Sequence, residues 1–219
     1  MEIRRFPFQP IDSSMYVMCG HDSAVIVDPC VSEEALTLVK GSGVEKIIIL
    51  LTHEHFDHIS GVNWWKELKP CEVICSQTCG ERIKDPKRNA SAHYDVLFLF
   101  QSKEVQEEAK QLNFQAFSCE ATKTFEGQFI FDWEGHHFDI QETPGHSPGS
   151  CCILLDNKIC FTGDTVLKGL KTITRLPHGN RTKFKEIVED YLKRLPADCE
   201  IYPGHGDHFS IKEVNFELL

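Results

Sequence analysis

The segment Thr52-His53-Glu54-His55-Phe56-Asp57-His58 constrains this chain more than any other. Three histidines and an aspartate fall within six residues, directly after the apolar run Ile47-Ile48-Ile49-Leu50-Leu51. Imidazole and carboxylate are the ligands that suit zinc, iron and similar divalent ions. The apolar run reads as a buried strand, so these ligands sit where a strand leaves a core. In extended backbone, residues two apart point the same way, which lets His53 and His55 grip one ion together. Asp57 and His58 follow where the chain turns into a helix, and they face a second position. The segment reads as the nucleus of a two-metal site.

Three more candidates sit at strand-to-loop junctions, each just after a glycine. His146 lies in Thr143-Pro144-Gly145-His146-Ser147-Pro148-Gly149, Asp164 in Phe161-Thr162-Gly163-Asp164-Thr165, and His205 in Ile201-Tyr202-Pro203-Gly204-His205-Gly206. Glycine allows a sharp turn that brings a short side chain close to an ion. The seven ligands exceed the four, or three and a water, that one zinc takes. They suit two metals sharing a carboxylate and a water, and Asp164 is the natural bridge because it has two oxygens.

With these residues the chain resembles the metallo-β-lactamase-fold hydrolases, and within them the single-domain branch similar to glyoxalase II. The family's His-x-His-x-Asp-His motif matches His53, His55, Asp57 and His58, and its later histidine, aspartate and last histidine match His146, Asp164 and His205. The resemblance runs from about residue 15 to the C-terminus. It implies a four-layer αβ/βα sandwich of mixed α/β (α+β) class, one domain over residues 1–219, with the metals at one edge between the sheets. It implies one ion on His53, His55 and His146, the other on Asp57, His58 and His205, with Asp164 between them and Asp28 supporting the ligands from behind. The ions would be two divalent cations, zinc first, with iron or manganese as alternatives. A hydroxide shared by them would attack a carbonyl carbon while Asp57 orients the water and accepts its proton. The expected reaction is hydrolysis of a thioester, lactone or related ester-like bond in a small molecule.

The chain departs from the family in places. Residues 80–124 read as a helical insertion over the site. Many relatives read Asp-Leu-Pro-Gly-Gly where this chain has Arg175-Leu176-Pro177-His178-Gly179. The glutathione-binding helical domain of full-length glyoxalase II has no counterpart, which counts against hydroxyacylglutathione as substrate. An iron enzyme similar to the persulfide dioxygenases is the alternative, followed by a non-catalytic metal-binding module. Diiron flavoproteins of this fold carry glutamate where this chain has His55.

Composition narrows the partners. A net charge of -10 disfavours phosphate-backbone binding, so no nucleic-acid partner is expected. No apolar run approaches the roughly 20 residues that span a bilayer, and the N-terminus lacks a secretory signal. The ten cysteines read as reduced thiols in a cytoplasmic protein. Cys71, Cys75 and Cys79, four residues apart, read as structural rather than as a cluster site. Oligomeric state is open.

The remaining pattern places strands at residues 16–19, 24–28, 46–51, 72–75, 129–133, 137–142, 150–155, 158–161 and 200–202. Helices are expected at 33–40, 59–69 and 182–195, with charged helical residues 103–112. Asp156-Asn157 reads as a hairpin turn. Trp64, Trp65 and Trp133 read as core or groove lining. His21, His93, His136, His137, His178 and His208 carry no signal beyond their type. Glu54 reads as a surface residue or a support for the ligands. Loops 80–124 and 166–181 would set specificity, with Lys168, Lys171 and Arg175 either meeting an anionic substrate or simply solvated.

Overall fold

Runs of apolar residues without alternation build the centre of each sheet. Ser23–Val27 (β3) and Cys151–Leu155 (β9) are buried at every position, as strands covered on both faces must be. The computed structural model describes residues 1–9, 11–98, 103–111, 115–175 and 178–219. Its strands form two six-stranded sheets. The first follows chain order: β1 (Arg4–Phe8), β2 (Ser13–Cys19), β3, β4 (Lys46–Leu50), β5 (Cys71–Ser76) and β6 (Lys123–Phe125). Its first three strands pair antiparallel and the rest parallel. The second runs spatially β12 (Phe209–Ser210), β11 (Glu200–Pro203), β10 (Ile159–Gly163), β9, β8 (His136–Glu142) and β7 (Gln128–Trp133). It is antiparallel except for the β10–β11 pair.

Three apolar clusters define the layers. Tyr16, Met18, Val25, Val27, Phe138, Ile153 and Phe161 fill the space between the sheets. Leu36, Val39, Ile49 and Trp65 pack outside the first sheet, beneath α1 (Glu33–Gly41) and α3 (Val62–Leu68). Phe184, Val188, Leu192 and Ile201 pack outside the second. Each fully buried large side chain contributes roughly 1.5–3 kcal/mol of transfer free energy. The result is the αβ/βα sandwich anticipated from the resemblance.

Local chemistry sets several boundaries. Ser32 caps α1, its hydroxyl accepting from Ala35 N at 3.2 Å. Asp156 and Asn157 both take positive φ, 52° and 54°, which is the mirror-image turn that a two-residue hairpin needs. The single helix expected over residues 59–69 is instead two, α2 (Phe56–Ile59) and α3, broken at Gly61. A Cβ on Gly61 would lie 2.6 Å from the Cys30 backbone, so the chain must pass that strand exit closely. The helix expected at 182–195 runs from α6 (Arg181–Lys183) through a π turn at Phe184–Val188 to α7 (Glu189–Arg194). Three strands were not anticipated. β1 is an edge strand with two arginines and Pro7, β6 has three residues and β12 two.

Between α4 (Gln77–Arg82) and β6 lie a 3₁₀ segment, Ser91–Phe98, and α5 (Lys103–Gln111). Leu99, Phe100 and Leu112 of the expected apolar and charged stretches lie outside the described residues, as do Leu176 and Pro177. All ten cysteines are free and eight are buried. Trp65 donates to Cys30 O at 3.1 Å and Trp133 to Ser23 Oγ at 2.8 Å, which fixes both as core residues.

Candidate metal centre

β4 delivers the motif to the edge between the sheets. Beyond Leu50 the chain stays extended and is pinned on both sides, by Leu51 N to Ile74 O at 3.1 Å and Cys151 N to Thr52 O at 2.8 Å. Extended backbone keeps His53 and His55 on one side. At Phe56 the chain enters α2, whose first turn carries Asp57 and whose last carries His58. The β8–β9 loop brings His146, the end of β10 brings Asp164, and the end of β11 brings His205. All seven anticipated residues meet here.

Their donor atoms fall into two groups that Asp164 joins. One donor atom from each of His53, His55 and His146 lies within 4.8 Å of the others, and the same holds for Asp57, His58 and His205. Asp164 Oδ2 stands 3.6 Å from His146 Nε2, while Oδ1 stands 3.4 Å from the Nε2 atoms of both His58 and His205. Asp57 Oδ2 is 3.3 Å from His58 Nε2 and 3.5 Å from His205 Nε2. Two glycines make this approach possible. A Cβ at Gly204 would lie 2.1 Å from Asp164 Oδ1, and one at Gly163, where φ is 49°, would strike Thr52 Oγ1.

Hydrogen bonds on the far side of each ring decide which nitrogen carries a lone pair. Asp28 anchors two of them. Its Oδ1 accepts from Thr52 N at 2.7 Å, and its Oδ2 from Thr52 Oγ1 at 2.5 Å and His58 Nδ1 at 2.9 Å. The Thr52 hydroxyl proton being committed, its oxygen accepts from His53 Nδ1 at 3.0 Å. His146 Nδ1 donates to Ile173 O at 2.9 Å and His205 Nδ1 to Ile11 O at 3.1 Å. Four imidazoles therefore turn Nε2 inward, the arrangement in which a partner behind the ring orients a metal ligand. His55 differs, presenting Nδ1 to His146 Nε2 at 3.1 Å. At that separation the two nitrogens share a hydrogen bond, and both face the position that the three-histidine group surrounds. His53 Nε2, His58 Nε2 and Asp164 Oδ1 are buried without a hydrogen-bond partner, an orphaning that a bound ion removes. Asp28, His53 and His58 also cluster, but the Asp28 oxygens are already spent on Thr52 and His58, so it braces the ligands.

The protonation pattern divides the donor set in two: three rings are neutral, and two are held protonated by the facing carboxylates until something displaces the proton. Burial holds His53 well below the usual histidine range, lowers His55, and pushes His146 down to about 4. These three rings are neutral and free to ligate. Burial also opposes protonation of His58 and His205, but Asp57 and Asp164 outweigh it, raising His58 well above the usual range and His205 to about 9. Burial pushes Asp57 and Asp164 up, and the facing histidines overcome it and hold both below the usual carboxylate range.

The family model of the metallo-beta-lactamase superfamily matches residues 9–205. The chain belongs to the metallo-β-lactamase superfamily. Relatives within it carry different names. The chain is 27% identical over 208 residues to the probable metallo-hydrolase YqgX of Bacillus subtilis (strain 168), covering 94% of this chain and 90% of that one. It is 28% identical over 194 residues to the hydroxyacylglutathione hydrolase GloC of Haemophilus influenzae, covering 86% and 82%. It is 26% identical over 218 residues to the mitochondrial persulfide dioxygenase ETHE1 of Homo sapiens, covering 96% and 71%. Among solved structures, the B3 metallo-beta-lactamase BLEG-1 superposes with a TM-score of 0.79 at 26% identity, covering 97% and 95%. The di-iron-bound form of TTHA1623 superposes at 0.70 and 21% identity, covering 95% of each chain. Membership of a metal-dependent superfamily thus agrees with the donor set built above.

Other anticipated residues fall elsewhere. Lys168 pairs with Glu213 at 2.8 Å, half-exposed, while Lys171 and Arg175 are exposed. His208 stacks on Tyr202 with ring centroids 5.0 Å apart, and His136 and His137 pair with Asp156 and Asp132. His178 lines a cleft of about 310 Å³ beside the His146 loop, together with Thr78, Ser147 and Lys183. Glu54 is wholly buried rather than on the surface. The outer partners Thr52, Arg82 and Ser147 were not singled out in the sequence. A charged residue between two ligands, at the exit of a buried strand, was the available signal for Glu54.

Proposed function

We propose that this protein is a binuclear metallo-hydrolase that cleaves a thioester, lactone or related ester-like bond in a small molecule. In this reading His53, His55 and His146 hold one divalent ion, Asp57, His58 and His205 hold a second, and Asp164 reaches both. One observation carries it. Ring nitrogens with their opposite atoms already committed converge on two ionised carboxylates, and three of the inward atoms are orphaned. When bound, a pair of divalent ions lowers the pKa of a shared water towards neutrality and polarises a substrate carbonyl.

The chain's own groups supply the rest. Asp57, ionised and 6% exposed, is placed to orient a water and take its proton. Asp164 and His205, with side chains 15% and 25% exposed, form the open side by which a substrate approaches. A cysteine nucleophile is not needed, and burial pushes the thiols of Cys79 and Cys151 well up, away from reactivity. Zinc is the proposed ion, with iron or manganese as alternatives. The likeness to GloC supports a thioester as the first substrate to test. The reading takes residues 1–219 as a single catalytic domain with residues 80–124 inserted, working in the cytoplasm. Ten free cysteines support that compartment. No helix among the described residues is long and apolar enough to cross a membrane.

The test is metal analysis of the purified protein followed by assay on thioesters, lactones, β-lactams and phosphodiesters. Two ions per chain and turnover of a thioester or lactone are expected, and failure on every class would sink the hydrolase reading. The likeness to ETHE1 over 96% of this chain favours one second reading, oxidation of a persulfide with iron. Iron in the purified protein together with oxygen uptake on a persulfide would select it.

A further inference from the structure

Glu54 stands between two candidate ligands, yet it is entirely buried and points away from them into a hydrogen-bond network. Its Oε1 accepts from Arg82 Nε at 2.5 Å, and its Oε2 accepts from Ser147 Oγ at 2.8 Å and Gly149 N at 3.2 Å. The residue next to His55 is thereby tied to the residue next to His146. The contact leaves no slack. A Cβ on Gly149 would sit 2.5 Å from Glu54 Oε2 and 2.7 Å from Cys79 N. The Ser147 hydroxyl is also within 2.8 Å of Ser150 Oγ, so the loop carrying His146 closes on itself around this carboxylate. Arg82 ends α4, and its Nη2 donates to Arg88 O at 3.3 Å, which joins the same network to the residues leading into the 3₁₀ segment.

We propose that Glu54 is a positioning residue that sets the separation of His55 and His146, and so tunes the three-histidine half of the metal centre without touching it. This rests on the two-metal reading above. The physical argument is that a buried carboxylate must keep its partners. Its two oxygens hold the His146 loop and α4 at fixed distances from the motif strand. Among the described residues, no hydrogen bond joins this network to Asp57, His58 or His205. Their supports are Asp28, Ile11 and the Asp57 carbonyl bond from Ser13 Oγ at 3.2 Å. The two halves share the Asp28 brace and Asp164, but the Glu54 network bonds to the His146 loop alone.

The experiment measures metal affinity by chelator competition in two backgrounds. His205→Ala leaves only the three-histidine half intact, and His146→Ala leaves only the other. Glu54→Gln is added to each, and Ser147→Ala is added in parallel, because it removes one bond without stranding a buried charge and survives if the glutamine variant fails to fold. Thermal unfolding of the metal-free proteins is recorded alongside. The expected result is a 10–100-fold weaker ion in the His205→Ala background, the range for residues that orient ligands, with less than a twofold change in the His146→Ala background. Unchanged affinity in both backgrounds overturns the proposal. So does an equal loss in both that tracks a lowered unfolding temperature, since that is the signature of general destabilisation. Absence of metal binding by the unsubstituted protein would instead overturn the two-metal reading and this inference with it.

Discussion

The two halves of the centre are built from different materials. His53, His55 and His146 are three neutral imidazoles whose basicity burial has suppressed. Asp57, His58 and His205 combine a carboxylate with two imidazoles whose basicity that carboxylate and Asp164 have raised. The first half comes from an extended segment and a loop, the second from a helix start and a strand end. One chain thus sets a group of neutral imidazoles a few ångströms from a group of paired opposite charges, and Asp164 touches both. Such an asymmetric set of residues would suit unequal roles if two ions were bound, with Asp57 placed to orient a water.

Removing Asp164 tests the joining most severely. Asp164→Ala is expected to lower hydrolytic turnover by at least ~10³-fold, about 4 kcal/mol of barrier, and to reduce bound metal in both halves. Loss of one ion with the other undisturbed would show that the halves do not share this carboxylate. Separating the halves comes next. His146→Ala and His205→Ala should each leave one ion per chain by elemental analysis, and identical stoichiometry to the parent would refute the partition. Asp28→Asn strikes the bracing that both halves share, since Asp28 reaches His58 directly and His53 through Thr52. A roughly 10–100-fold weaker affinity is expected for each ion, and an effect confined to one would break the symmetry of that brace. At the small end, Lys168→Ala removes an exposed ion pair with Glu213 that solvent screens. Turnover should stay within about twofold of the parent, and a large fall in substrate affinity would return Lys168 to the substrate site.

The sequence reading succeeded where local chemistry suffices. The fivefold apolar run announces a strand, and the spacing of His53, His55, Asp57 and His58, with a glycine before each later candidate, picks out residues that the fold brings together. It missed what depends on distant partners. β1 and β12 are edge strands whose identity comes from the neighbour they pair with, not from their own pattern. The break at Gly61 comes from the backbone of Cys30, 31 positions earlier. Glu54 was left open between a surface residue and a support for the ligands, because nothing nearby in sequence announces Arg82, Ser147 and Gly149 as its partners. Lys168 looked available because its partner Glu213 lies 45 positions on.

The His205 ring leans on Ile11 O, 194 positions earlier, and Ser13 bridges to His205 beside it. The centre is therefore closed by a contact between the first and last parts of the superfamily match. Synthesis runs from the N-terminus at roughly 5–20 residues per second, so the motif at 53–58 emerges well before the histidine that completes it. Synthesis thus delivers His205 last of the seven residues, long after the backbone at Ile11 that orients its ring.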